Sequence, residues 1–158
     1  MFQPTLPEEP SNKQIAILNR RLADGTDLTL QARQAHWLLK SSTFSELSTQ
    51  FDQISQELKE HVDLIAERIV QLGGVPEGTA RVIVTRTSLS DYPVLTVTEQ
   101  EHLIALVKVL DIFDKHIRYT GEYVAKLADT DSVALLTDIS RSINVWLRVL
   151  EAHRQGTP

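Results

Sequence analysis

The stretch FSELSTQFDQISQELKEHVDLIAERIVQLGG, residues 44–74, decides how the fold is read. Phe44, Leu47, Phe51, Ile54, Leu58, Val62, Ile65, Ile69 and Leu72 recur at spacings of three and four, the period of one helix face. Thr43 with Glu46 forms a capping-box pattern at the start, and Gly73-Gly74 stops the run. Beside the apolar seam runs a second stripe. At 100° per residue, Ser48, Asp52, Asp63 and Glu67 project at roughly 0°, 40°, 60° and 100°.

Outward from this helix the pattern repeats. Upstream, Ile15, Leu18, Leu22, Ala32, His36 and Leu39 predict a helix over 13–39, weakened in its middle by Gly25. Downstream, residues 75–97 are rich in Thr, Ser, Val and Pro and form a long connection with room for one short helix. Thr98 and Glu101 give a second capping box, opening a helix with Leu103, Leu106, Leu110, Phe113, Ile117, Val124 and Leu127 on its seam. Asp129-Thr130-Asp131 interrupts it. The last helix carries Val133, Leu136, Ile139, Ile143, Trp146 and Leu150 and ends near His153. Four amphipathic helices with two short links and one long crossover describe an all-α, ferritin-like four-helix bundle over 13–154. Residues 1–12, with Pro4, Pro7, Pro10, Glu8 and Glu9, read as a flexible tail, and 155–158 as a short C-terminal one.

Composition narrows the chemistry. The 158 residues suit one domain able to bury its own core. With no cysteine, thiolate metal sites, disulfides and thiol catalysis are excluded, and any metal must be held by His, Asp and Glu. No glycine-rich phosphate loop, nucleophile elbow or alternating strand–helix pattern is present. No basic patch leads into an apolar run, and no stretch is long and apolar enough to span a bilayer, so a soluble intracellular protein is expected. The formal net charge of −5 disfavours non-specific binding to nucleic acid and suits a surface that attracts cations.

The acidic stripe carries the functional reading. Eleven residues separate Asp52 from Asp63, about 16 Å along the axis, too far for one metal centre to reach both within one chain. If the helix packs antiparallel against its own copy about a two-fold axis, Asp52 of one chain faces Asp63 of the other, and position 48 faces Glu67. His36, on the inward stripe of the first helix, adds a nitrogen donor. On spacing alone the alternative stands: a solvated face with Glu67 paired to a neighbouring base, and His36 a core histidine satisfied by a hydrogen bond. His61 lies about 200° from Asp63 and points to a packing or surface role. His102 and His116 have no acidic partners in a metal-like arrangement, and His153 is unassigned. Trp37 adjoins His36; it and Trp146 read as core or interface filler.

The segment QAHWLLKSSTFSELSTQFDQISQELKEHVDLIAERIVQLGG, residues 34–74, resembles the signature of the Dps proteins, the miniferritins of starved bacteria. Their pattern is His-Trp, a Phe, a His, a Phe-Asp pair and Asp-x-x-x-Glu-Arg before Leu-Gly-Gly. VPEGTARVIVTRTSLSDYPV, residues 75–94, is similar to the family's crossover, and the last two helices fall in register. The resemblance implies a cytoplasmic or nucleoid shell of twelve identical subunits with a ferroxidase centre at each two-fold interface. His36 and Asp52 would come from one subunit, Asp63 and Glu67 from its partner. It implies oxidation of ferrous iron, preferably by hydrogen peroxide, and storage of ferric iron, with protection against oxidative damage; other divalent metals suit the same donors. Acidic pores at the three-fold axes would draw on Asp129, Asp131 and Asp138; helix capping is the alternative role for Asp129 and Asp131. Trp37 would lie near the site, where an aromatic takes part in the redox chemistry.

Two departures follow. Family DNA binding depends on basic tails, whereas these tails offer only Lys13 and Arg154 beside Glu8 and Glu9, so weak or absent DNA binding is expected. Ser48 occupies the position of the family's second His, and its neutral hydroxyl is a poor ligand for ferrous iron. The metal position built from His36, Asp63 and Glu67 is then intact and the one sharing Asp52 and Glu67 weakened, with water standing in for the imidazole. A shell with an inactive centre, serving a structural or DNA-associated role, is the alternative, and a helical binding domain unrelated to cages a further one. Ser48→His is expected to raise the rate of ferrous oxidation, followed optically; an unchanged rate and iron stoichiometry would count against the ligand-loss reading.

Overall fold

A computed structural model describes residues 10–40, 45–93, 95 and 98–156. Its elements are α1 (Pro10–Lys40), α2 (Ser45–Gln71), α3 (Ala80–Arg86), α4 (Glu99–Lys126) and α5 (Thr130–Gln155), with no strand among the described residues. The helix α1 opens at Pro10, three residues before the expected start; proline's fixed φ and missing N–H suit a first turn. Thr43, half of the first capping box, lies outside the described residues. No helix is long and apolar enough to cross a membrane among those described.

The seams read from the sequence become the core. Leu18, Leu22 and Leu28 of α1, Phe51, Ile54 and Ile65 of α2, Leu106, Phe113 and Ile117 of α4, and Ile139 and Ile143 of α5 are all at most 2% exposed. Each such side chain contributes about 1.5–3 kcal/mol through burial. The helix α1 packs on α2 and α4, α5 on α4 and α2, and the short α3 on α1. Gly25 does not interrupt α1, which is continuous across it. A Cβ there would stand 2.9 Å from Val62 Cγ2 and 3.4 Å from Phe113 Cζ, so the missing side chain lets α2 and α4 close on α1.

Helix ends are set by local chemistry. At the start of α4, Thr98 Oγ1 accepts from Glu101 N at 3.1 Å and Glu101 Oε2 accepts from Thr98 N at 3.2 Å, completing the expected capping box. The helix α2 ends in a Schellman turn: Gly74 N donates to Ile69 O at 2.9 Å, Gly73 N to Val70 O at 3.0 Å, and Gly73 has φ 88°. The same pair of bonds closes α4, from Asp129 N to Val124 O and Ala128 N to Ala125 O, but the left-handed residue is Ala128, φ 58°. An L side chain in that conformation costs about 1 kcal/mol, and the interactions of Asp129 offset it.

Asp129 is 7% exposed and surrounded by donors from three helices. It caps α5 through Ser132 N at 3.1 Å and the Ser132 hydroxyl, and accepts from Arg68 Nη2 of α2 at 2.8 Å and Gln14 Nε2 of α1 at 2.9 Å. The crossover is fixed by a second buried carboxylate. Asp24, 0% exposed, accepts from Ser88 N at 2.8 Å and Ser88 Oγ at 2.9 Å, with Arg21 Nε and His116 Nδ1 each at 3.3 Å. Asn19 adds bonds from Glu77 N at 2.9 Å and to Val75 O at 3.1 Å. The long connection is therefore strapped to α1, a property that its irregular sequence does not display.

Burial works against the charge of Asp129, but the bonds from Ser132 and the charge of Arg68 prevail and hold its pKa below the ordinary aspartate value. A carboxylate depressed in the folded state stabilises fully above its unfolded pKa, and that contribution is lost as the pH falls through the folded value. Asp129→Ala is expected to cost ~3 kcal/mol in urea unfolding at pH 7, the scale of a broken buried pair together with a lost cap. The variant is also expected to show a shallower loss of stability than the native protein below about pH 4. Equal acid dependence of the two proteins would remove this role from Asp129.

Candidate metal centre

The last turns of α1 lie against the first turns of α2. His36, half-buried, faces Ser48, which is 5% exposed. His36 Nδ1 lies 2.8 Å from the Ser48 main-chain oxygen and 3.0 Å from its hydroxyl oxygen. Both contacts use the same ring nitrogen; no hydrogen bond to Nε2 is formed among the described residues. One turn on, Asp52 is half-buried and accepts from Gln56 Nε2 at 2.9 Å.

Asp63 and Glu67 stand about three and four turns beyond on the same helix, both exposed. Neither makes a side-chain hydrogen bond or ion pair among the described residues. The neighbouring base, Arg68, turns away from Glu67 to Asp129. The reading of a solvated face with Glu67 in a local ion pair therefore lacks its expected partner, and the core-histidine reading describes only one of the two nitrogens of His36. Within one chain no three His, Asp or Glu side chains come together among the described residues. His36 meets Ser48, with Asp52 one turn further along α2, and Asp63 and Glu67 lie one turn apart towards the other end, with about 16 Å of helix between the aspartates. An imidazole nitrogen and carboxylate oxygens suit a hard or borderline divalent cation.

The other candidates separate clearly. Trp37 is 56% exposed, so it is not core filler, and Arg33 Cζ sits 5.2 Å from its ring centroid. Trp146 is half-buried and donates from Nε1 to Glu57 Oε2 at 2.6 Å. His61 has the packing role expected of it: its Nε2 lies 2.9 Å from Ser142 Oγ, itself bonded to Glu57, and burial pulls its pKa down. His102 is 1% exposed, stacked on Tyr92 and bonded to the phenol, and burial lowers its pKa also. His116, expected to have no acidic partners in a metal-like arrangement, meets the single carboxylate of Asp24 from α1, which is already held by Arg21 and Ser88. His153 is half-buried near the end of α5. Of the pore candidates, Asp129 is buried and committed to capping, whereas the Asp131 and Asp138 side chains are 84% and 76% exposed. Gln56 on Asp52 and Arg33 on Trp37 escaped the sequence reading, although each pair has the i,i+4 spacing that makes helical neighbours.

Residues 15–156 match the family model described as Ferritin: Ferritin-like domain. A DNA protection during starvation protein of Agrobacterium fabrum is 35% identical over 150 residues, covering 95% of this chain and 93% of that protein. Among solved structures, the tetragonal form of Dps from Mycobacterium smegmatis superposes with a TM-score of 0.87 at 27% identity, covering 97% of this chain and 94% of that one. A Dps protein from Vibrio cholerae, described as a member of a broad superfamily of ferritin-like diiron-carboxylate proteins, has a TM-score of 0.84 at 24% identity over 90% of this chain and 89% of its own. With the bundle, its single long crossover and this likeness along almost its whole length, the chain belongs to the ferritin-like family and, within it, to the Dps proteins.

Proposed function

We propose that the protein oxidises ferrous iron, with hydrogen peroxide as the preferred oxidant, and stores the ferric product inside a shell of twelve copies. The observation that carries this reading is the division of donors along α2. His36 and Asp52 form a half-site at one end, and Asp63 and Glu67, without partners of their own, form the other. A two-fold axis between them joins the halves of two subunits and makes two equivalent centres. Kinship with the Dps proteins and the diiron-carboxylate description of the Vibrio cholerae relative support iron as the ion.

Ferrous ions are the substrate. Two of them deliver two electrons to one peroxide, which takes two protons and leaves as two waters, so no hydroxyl radical is released. The protein's part is to hold the ions at fixed positions and leave sites open to the oxidant. Carboxylates from Asp63 and Glu67 offset the positive charge, and His36 supplies the nitrogen. The position served by Asp52 lacks an imidazole from residue 48, which sets the pairing of the ions, and hence the rate, below that of a centre with two histidines. Asp131 and Asp138 line the route of entry. In the bacterial cytoplasm such a shell protects against oxidative damage by consuming iron and peroxide together; a net charge of −5 leaves DNA binding weak or absent. A second reading, a shell without a working centre, is favoured by one residue, Ser48.

The test begins with purified protein of confirmed mass. A particle of twelve copies that bleaches added peroxide as ferrous iron is oxidised, and retains the iron through gel filtration, is the expected result. Asp63→Asn with Glu67→Gln should keep the particle and lower the oxidation rate at least ~10-fold, the scale of losing groups that act directly on the reacting ion. A twelve-copy particle with no activity above free iron would favour the second reading; a monomer or simple dimer would overturn both.

A further inference from the structure

Ser48 stands where the Dps pattern has a second imidazole, yet it is neither an empty position nor a solvated hydroxyl. It is 5% exposed and makes three contacts to one residue across the α1–α2 interface. Its main-chain oxygen is 2.8 Å from His36 Nδ1, its hydroxyl oxygen is 3.0 Å from the same nitrogen, and that hydroxyl lies 3.5 Å from the His36 main-chain oxygen.

One arrangement of hydrogens accounts for all three. A carbonyl oxygen can only accept, so at 2.8 Å the ring nitrogen must carry the hydrogen. The hydroxyl oxygen then accepts a longer share of the same N–H, and its own hydrogen is directed to the His36 carbonyl. With Nδ1 bare, its lone pair would face the carbonyl lone pairs at close range and the longer hydroxyl bond would be the sole compensation. A neutral imidazole with its hydrogen on Nδ1 has its remaining lone pair on Nε2, the nitrogen that no hydrogen bond engages among the described residues.

We infer that Ser48 is a positioning residue: with carbonyl and hydroxyl together it holds His36 as the Nδ1–H tautomer and presents Nε2 to a divalent cation. The inference rests on the metal-binding reading proposed above and changes the meaning of the serine within it. The position has lost an imidazole but has gained a clamp on the one that remains. A donor fixed in tautomer and ring angle pays no ordering cost when the ion arrives, and an N–H bonded to oxygen makes the opposite nitrogen a better ligand.

The test uses the whole assembled protein, free of metal, with zinc as a divalent probe that cannot be oxidised. Nitrogen-15 solid-state spectra of the sedimented particle report which nitrogen of each of the five histidines carries hydrogen, and loss of one signal set in His36→Gln assigns the ring. The expected result is hydrogen on Nδ1 of His36. Ser48→Ala and Ser48→Val remove the hydroxyl and keep the main-chain oxygen; each should weaken zinc binding in calorimetry ~10-fold, the lower end of what losing a partner of a ligating histidine costs. Ser48→Thr keeps a hydroxyl and should restore affinity, a rescue that a purely structural role does not produce. Hydrogen on Nε2 in the native protein, or zinc affinity unchanged in both Ala and Val, overturns the inference. Native protein that fails to bind zinc while its His36 carries hydrogen on Nδ1 overturns the metal reading instead and leaves the tautomer assignment supported. Ser48→His serves a separate purpose, since it adds a ligand while the carbonyl clamp stays.

Discussion

The rise of an α-helix, ~1.5 Å per residue, is the constraint on which this molecule turns. It puts Asp52 and Asp63 on one stripe of α2 while keeping them too far apart to meet around an ion. Everything else about the site follows from that separation. The donors cannot be gathered by bending α2, because its opposite face is locked into the core by Phe51, Ile54, Leu58, Ile65 and Ile69. In the proposed shell, a second copy of the same helix supplies what one helix cannot, so that assembly and metal binding become one event.

Two buried carboxylates secure the frame around α2. Asp129 gathers α1, α2 and α5 at one end of the bundle, and Asp24 ties the crossover to α1 and α4. Each is desolvated, and each is matched by several donors, which is the condition under which burying a charge is tolerated. Neither belongs to the proposed metal centre, although both are aspartates near histidine or arginine. What separates them from Asp63 is the number of donors already committed to their oxygens.

Much of this was legible in the sequence, for physical reasons. The seams of α2 and α4 are strictly periodic because each helix buries a single face, and the capping box at Thr98 lies wholly within four residues. The candidate donors His36, Asp52, Asp63 and Glu67 could be grouped because they share helical stripes. What stayed hidden depends on partners distant in sequence. Asp24 meets Ser88 and His116 across 64 and 92 residues, and Glu57 meets Trp146 across 89. Periodicity carries no information about such pairs. Gly25 misled for a related reason: helix propensity counts the glycine as a weakness, whereas Val62 and Phe113, from two other helices, turn it into a point of close contact. The partners of Asp129 on α1 and α2 were hidden likewise, Gln14 and Arg68 lying 115 and 61 residues away.

Arg68 joins two regions that the chain keeps far apart. It follows Glu67 directly, and its guanidinium reaches Asp129 at 2.8 Å and Ser132 at 2.9 Å, so the backbone beneath Glu67 is braced against the α4–α5 turn. Asp52, by contrast, is steadied by one glutamine on its own helix. The two carboxylates thus differ in how they are held, Asp52 through its own oxygens and Glu67 only through the backbone beneath it. In the proposed shell, an ion would then meet an uncommitted carboxylate on a braced backbone at one end of α2 and a carboxylate already shared with Gln56 at the other.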